Sequence, residues 1–183
     1  MKKIIRKAFM DFEKEENWIN QMAREGWAMT DYSWCRYAFE DCEPGAYVYR
    51  IELLPDLAGH PKSRAYVDFV ESTGAKEVAR YGRWVYFRKQ SGEGGFDLFS
   101  DLGSRLAHYR RVYQFWLVLA IAELLIGFSN VSTGLGNLAA GHSGANLFMG
   151  LPLLLIGLLM LFGLVLPVRR KMALLKRELD IRE

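Results

Sequence analysis

The stretch AKEVARYGRWVYFRK, Ala75 to Lys89, is rich in aromatic and β-branched residues and holds a single interior glycine, Gly82. It reads as a strand that Gly82 can break in two. Because side chains alternate across an extended chain, Trp84, Tyr86 and Arg88 share one face, with Arg83, Val85 and Phe87 on the other. One face must cover helices, and aromatic residues on strands serve packing more often than they form platforms for bases. The RNA-recognition signature, laid on Arg80 to Phe87, fits at Arg80, Trp84, Val85 and Phe87 but misplaces its glycine. Nucleic acid is therefore the disfavoured partner. Trp84, Tyr86 and Arg88 remain the candidate contact residues if their face lies open.

Upstream, DFEKEENWINQMAREG carries Asp11 as N-cap, acids in its first turn, Trp18, Ile19, Met22 and Ala23 at helical spacing, and Gly26 as a terminator. WAMTDYSWCRYAFE and AYVYRIELL follow as two strands joined through Pro44 and Gly45. PKSRAYVDFVESTG reads as a second helix, opened by Pro61, closed by Gly74 and apolar along Tyr66, Phe69, Val70 and Thr73. With the short β-like segment Ile4 to Phe9 in front, the order is β-α-β-β-α-β. That order predicts an α+β, ferredoxin-like domain over residues 1–90, its helices on one face of an antiparallel sheet. Helix, glycine, strand occurs twice, in keeping with two halves.

Beyond Ser91 to Gly95, a linker, residues 96–111 have Ser100 as N-cap and Leu102, Leu106 and Tyr109 at near-helical spacing. They predict a juxtamembrane helix, with Phe96, Leu98 and Phe99 able to enter the lipid interface. Residues 112–129 and 147–168 are apolar runs, the second without a charge and long enough for the ~20 residues that cross ~30 Å of hydrocarbon. A two-helix transmembrane hairpin is expected there, with residues 130–146 as an external loop and 169–183 as a cytosolic helix. Arg105, Arg110 and Arg111 precede the first run, and Arg169, Arg170 and Lys171 follow the second. The cations place both termini in the cytosol, at a cell membrane crossed twice. The basic start MKKIIRK has too few aliphatics behind it for a cleaved export signal.

Glu123 is the one acid within the spans. Inserting it costs about 3 kcal/mol, against about 0.3–0.6 returned by each apolar neighbour, so it should meet a partner. Gly127, Gly150, Gly157 and Gly163 permit close helix approach without forming a GxxxG pair. Pro152 and Pro167 read as a helix start and a helix end. A disulfide between Cys35 and Cys42 is not expected on the reducing side of a membrane, and two cysteines with no histidine nearby make no metal site. His60, His108 and His142 are scattered, and phosphate-loop, zincin and nucleophile-elbow motifs are missing. Glu13, Glu15 and Glu16 look like a solvated first turn, and Glu40, Asp41 and Glu43 a hairpin tip. These patterns point away from an enzyme and require no cofactor.

FEKEENWINQMAREGW, the segment Tyr37 to Leu54 with its EPG turn, FVESTGAKEVARYGRWVYFRK and FDLFSDLGSRLAHYRR together resemble the domain of unknown function family numbered 2812 over roughly the first 110 residues. The resemblance implies a bacterial protein whose domain precedes hydrophobic spans, and a setting in circuits with PadR-type transcription regulators. It brings no catalytic residues. The function expected is a membrane-anchored binding or regulatory module with a protein partner or a second copy of itself. The alternative is an accessory or transport subunit that uses Glu123.

Overall fold

The computed structural model describes residues 1–57, 59–93, 95–99 and 101–182, and it divides into two units, Met1–Ser100 and Asp101–Glu183. Ser100, the expected N-cap, lies outside the described residues.

The first unit is α+β, with six strands where four were expected. β1 (Lys2–Arg6), α1 (Phe12–Arg24), β2 (Trp27–Ser33) and β3 (Arg36–Asp41) are followed by β4 (Tyr47–Leu53), α2 (Pro61–Ser72), β5 (Lys76–Tyr81) and β6 (Trp84–Gln90). In place of one sheet there are two, both antiparallel, ordered β1-β3-β2 and β4-β6-β5. Each is the product of the same β-α-β-β string, so the unit is a tandem of two like repeats. The segment expected as one strand, residues 27–40, folds back on itself at Trp34 and Cys35. Gly82 does break its strand, between β5 and β6.

The correspondence extends to irregularities. β2 slips against β3 between Met29 and Asp31, and β5 slips against β6 between Glu77 and Ala79. Counted from Gly26 and Gly74, both at φ +88°, the two bulges fall at the same place. Such a positive φ carries little strain for glycine and ends each helix. Asp11 caps α1, accepting from the Glu13 N–H at 3.0 Å, and Pro61 opens α2 as expected.

α1 is the hub of the main core. Its Ile19, Met22 and Ala23 pack against Met29, Tyr37 and Phe39 of the first repeat and Tyr49, Ile51 and Tyr86 of the second. On the opposite side of the β4-β6-β5 sheet, Val85 and Phe87 meet Val67 and Val70 of α2. Phe96 joins this second core and is buried, with Leu98 packed beside it. That corrects the expectation of lipid contact for these two residues, since a neighbouring apolar cluster already takes them up. The buried face of α2 runs through Ser63, Val67 and Val70, leaving Phe69 64% exposed.

β4 pairs only with β6, and its other edge would stand open were it not for α1. Asn20 mimics a strand, donating to the Tyr49 carbonyl at 3.0 Å and accepting the Tyr49 N–H at 2.8 Å. Glu16 accepts the Ile51 N–H at 2.9 Å and the Arg50 guanidinium at 3.2 Å. Helix side chains thus occupy an edge that would otherwise template aggregation.

The second unit is helical. α3 spans Leu102–Ala139, and Asp101 supplies its cap by accepting the Ser104 N–H at 2.7 Å. After a short turn come α4 (Ala145–Met160), a π turn (Leu161–Val165) and α5 (Leu166–Arg182). Most of the expected loop at 130–146 is therefore helix. α3 and α4 pack antiparallel along small residues recurring at every seventh position, Ala120, Gly127 and Gly134 on one helix and Gly150 and Gly157 on the other. A Cβ on Gly127 would sit 2.7 Å from the Leu154 nitrogen, and one on Gly150 2.7 Å from the Val131 nitrogen, so the backbones touch where only glycine fits. Gly163 is not part of this seam, for a Cβ there meets nothing within 4 Å.

Pro152 lies inside α4 instead of opening it, and Pro167 does not end the helix. The wider π turn just before Pro167 relieves the clash of its ring with the carbonyl one turn back, and winding continues. Two helices are long and apolar enough to cross a membrane, Leu102–Ala139 and Ala145–Ile181. Only 11% and 17% of their most apolar windows are buried, leaving Leu125, Phe128, Leu155 and Leu159 on exposed faces.

Candidate functional site

The first turn of α1 holds three acids, and the fold gives them different fates. Glu15 lies one turn before Ile19 on the stripe that continues to Met22 and Ala23, so the amphipathic phase that buries the stripe buries Glu15 too. It is 8% exposed, and Glu16 is half-buried against β4. The expectation of a solvated turn is thus corrected for both. Burial raises the carboxyl pKa of each above its ordinary value; hydrogen bonds from Tyr37 and Tyr86 oppose the rise at Glu15, and the Ile51 N–H and Arg50 oppose it at Glu16.

Glu15 sits where the two repeats meet. Tyr37 from β3 and Tyr86 from β6 each donate to the same oxygen, Oε1, at 2.7 Å. No group among the described residues donates to Oε2, and no cation among them pairs with the carboxylate. Burial keeps Tyr37 and Tyr86 well above the ordinary phenol range, the nearby Glu15 adding to the effect, so both are proton donors at any physiological pH.

Rings continue outward from this pair. Tyr32 of β2 stands 4.8 Å from Tyr37 and 4.8 Å from Tyr86, centroid to centroid. Tyr81, at the end of β5, lies edge-on to Tyr32 at 5.8 Å, and Trp34 lies 6.1 Å from Tyr81. Exposure rises along the series: Tyr37 and Tyr86 are buried, Tyr32 is half-buried, Tyr81 is 40% exposed and Trp34 74%. An aromatic path of rings in contact, with no opening of its own, thus links the surface to a buried acid.

Trp34 and Cys35 form the β2–β3 turn with φ of 37° and 59°. A two-residue turn with both values positive belongs to asparagine and glycine, and side chains as large as indole rarely adopt it. Held this way, Trp34 projects from the hairpin end, and the Cys35 N–H donates to the Tyr32 hydroxyl at 3.3 Å. Cys35 and Cys42 are free thiols.

The contact residues expected from the sequence are divided by this geometry. Tyr86 is interior and belongs to the Glu15 cluster. Trp84, half-buried, packs its ring 6.0 Å from Phe12 of α1. Arg88 lies over the Tyr47 ring at 4.6 Å. Their face is covered by α1, so the open platform that would have favoured nucleic acid is not formed. In the second unit, Glu123 is half-buried on α3 with Oε2 buried and without a hydrogen-bond partner among the described residues. Arg110 and Arg111 lie in the first part of α3, and Arg169, Arg170 and Lys171 in α5.

Residues 11–121 match the family described as a protein of unknown function, DUF2812. The chain belongs to that family. The DUF2812 segment takes in α1, both hairpins and the whole Glu15 cluster, and ends two residues short of Glu123. Compared with curated proteins and with solved structures, the chain matches none. Away from this cluster, a concavity of about 340 Å³, lined by Asn17, Asn20, Arg24, Tyr47 and Arg50, is polar and open, and the Arg50 charge is already answered by Glu16.

Sequence reasoning missed Glu15, Tyr32 and Trp34. The signal for Glu15 was its phase on the α1 stripe. For Trp34 it was the alternation of residues 27–40, which reverses only if a turn lies within.

Proposed function

We propose that this DUF2812 protein is a membrane-anchored binding module, whose first unit takes a ligand at the aromatic path leading to Glu15. The observation that carries the reading is the Glu15 carboxylate itself, held between two repeats with both tyrosine donors on Oε1, no donor to Oε2 among the described residues, and contacting rings that reach solvent. Burying an acid without a counter-charge lowers stability, and groups held in that way gather at sites of function.

The apolar faces of α3 and α4 support an anchor in lipid, since so many exposed Leu, Ile and Phe side chains would be poorly tolerated in water. The cations flanking the apolar runs favour two spans with both termini in the cytosol. In this reading the ligand unit faces the cytosol and reports to a partner, with PadR-type regulators as the setting that the family resemblance implies.

Two measurements test it. Full-length protein should stay in the membrane fraction after alkaline extraction, with a reporter fused after Glu183 active only inside the cell; extraction into the soluble fraction defeats the anchor. A thermal-shift screen of small amphiphiles of all charges should give hits that vanish in Tyr32→Leu. If none depends on Tyr32, the site is not a ligand site.

The unpaired Oε2 of Glu123 favours a second reading, in which α3 presents its acid to another helix of a membrane complex. Glu123→Gln would then dissociate an assembly seen in mild detergent while leaving the screen hits intact; an unchanged assembly removes this reading.

A further inference from the structure

The chemistry of the Glu15 cluster names a ligand class. We infer that the site binds a hydrophobic organic monocation, such as an alkylated or aromatic ammonium, with its charge at Glu15 Oε2 and its apolar body against the rings of Tyr32, Tyr81 and Trp34. This rests on the reading of the cluster as a ligand site and specifies what enters it.

Three features select a cation. First, the buried carboxylate lacks a positive partner among the described residues, and both donors it has fall on a single oxygen. A neutral ligand would leave that charge uncompensated, and an anion would be repelled. Second, the walls are aromatic, and ring faces attract cations while tolerating their apolar substituents, which is how aromatic cages hold quaternary ammonium groups. Third, the Tyr37 and Tyr86 hydroxyls are both committed to Glu15 Oε1, so the inner end of the site offers a carboxylate oxygen and not a donor.

The geometry also sets the route. Tyr37 and Tyr86 are anchored in the core, whereas Tyr32, Tyr81 and Trp34, on the ends of the β2–β3 and β5–β6 hairpins, touch one another with exposure rising outward, so a ligand enters by parting these outer rings. Trp34 is held outward by an unusual turn, available to close over a bound ligand.

The test uses full-length protein in micelles of a neutral maltoside and three probes titrated by calorimetry: benzyltrimethylammonium, benzyl alcohol and phenylacetate. The cation should bind saturably, weakened about tenfold or more by Glu15→Gln, by Tyr32→Leu and by Trp34→Ala, while phenylacetate does not bind. Glu15→Gln keeps the shape and an acceptor for both tyrosines; unchanged thermal unfolding of Tyr32→Leu and Trp34→Ala guards against loss of the fold. Cation binding that survives Glu15→Gln undiminished overturns the inference. So does tyrosine-dependent binding of benzyl alcohol or phenylacetate that equals the cation's, although the ligand-site reading would stand. If no probe binds and the amphiphile screen is also without Tyr32-dependent hits, both fall; if the screen has such hits and the cation has none, only the cation is wrong.

Discussion

The two repeats of the first unit share strand order, bulge position and terminating glycine, and they differ where it matters for function. Counted back from Gly26 and Gly74, Glu15 and Ser63 occupy the same place on their helices. In the second repeat that place is taken by a small hydroxyl that is fully buried and donates to the Asp56 carbonyl at 3.1 Å. In the first it is a carboxylate. Counted forward, the β2–β3 turn is Trp34 and Cys35, while the β5–β6 turn is Gly82 and Arg83. The second repeat thus shows what the fold needs, and the first departs from it at two positions joined by one aromatic path. Departures that lower stability and converge in space are the mark of a site.

Transplanting the acid is the severest way to break this comparison. Ser63→Glu would place a carboxylate in the α2 core with no tyrosine pair arranged to receive it, and would overfill the space as well. A loss of about 3 kcal/mol or more is expected, read as a fall in the urea midpoint of the first unit. If Ser63→Glu unfolds with the wild type, the receiving tyrosines are not what makes Glu15 tolerable.

Glu15→Gln tests the same place from the other side and should stabilise. The folded-state pKa of Glu15 lies above its ordinary value of 4.5 because of burial. Its contribution to stability is therefore complete below the unfolded pKa and declines as pH rises through the folded one. The titratable groups facing it are Tyr37, Tyr86 and Tyr32, with Cys35 behind Tyr32. Burial holds the three phenols protonated, so the fall is not theirs. The variant should melt with the wild type near pH 4 and a few degrees above it at alkaline pH, at about 4–8 °C per kcal/mol for a unit of this size. A gap that is constant with pH would assign the effect to packing and not to charge.

Much of this frame was legible in the sequence. Caps and terminators were read correctly because they act locally: Asp11, Gly26, Pro61 and Gly74 each satisfy or end a helix by their own geometry. The apolar runs were legible for the same reason, being properties of composition. What escaped needed the tertiary context. Nothing about Trp-Cys announces a tight turn, so the hairpin in residues 27–41 passed for one strand and the second sheet with it. Glu15 was taken for a surface acid because first-turn acids usually are, although its phase on the stripe said otherwise. The repeats themselves were half visible, as helix, glycine, strand recurring, and the close helix approach at Gly127, Gly150 and Gly157 was legible too, although not its period of seven nor the absence of Gly163 from the seam.

The first repeat's turn should be relieved by residues that suit its own backbone. Replacing Trp34 and Cys35 with Asn and Gly supplies residues that accept positive φ, relieving a strain of about 1–2 kcal/mol per residue. Part of that relief is offset because Tyr81 no longer has the indole of Trp34 packed beside its ring. A net gain of about 1–2 kcal/mol is expected, with binding of benzyltrimethylammonium reduced. A net destabilisation would mean that Trp34 is there for packing.

Gly82→Ala is the smallest perturbation and calibrates the others. Gly82 has φ +61°, and a Cβ built on it meets nothing within 4 Å, so the substitution adds no clash and acts on the backbone alone. The β5–β6 turn should then lose about 1 kcal/mol, the cost of holding an L-residue in the left-handed region. That figure gives the cost of one left-handed residue in a hairpin turn of this fold, against which the two at Trp34 and Cys35 can be set; the β5–β6 turn has positive φ at Gly82 alone, the β2–β3 turn at both positions. Should Gly82→Ala leave the urea midpoint where it was, this turn absorbs a left-handed residue without penalty. Strain at Trp34 and Cys35 would then lose its support from the second repeat, and the weight of the comparison would rest on Glu15 alone.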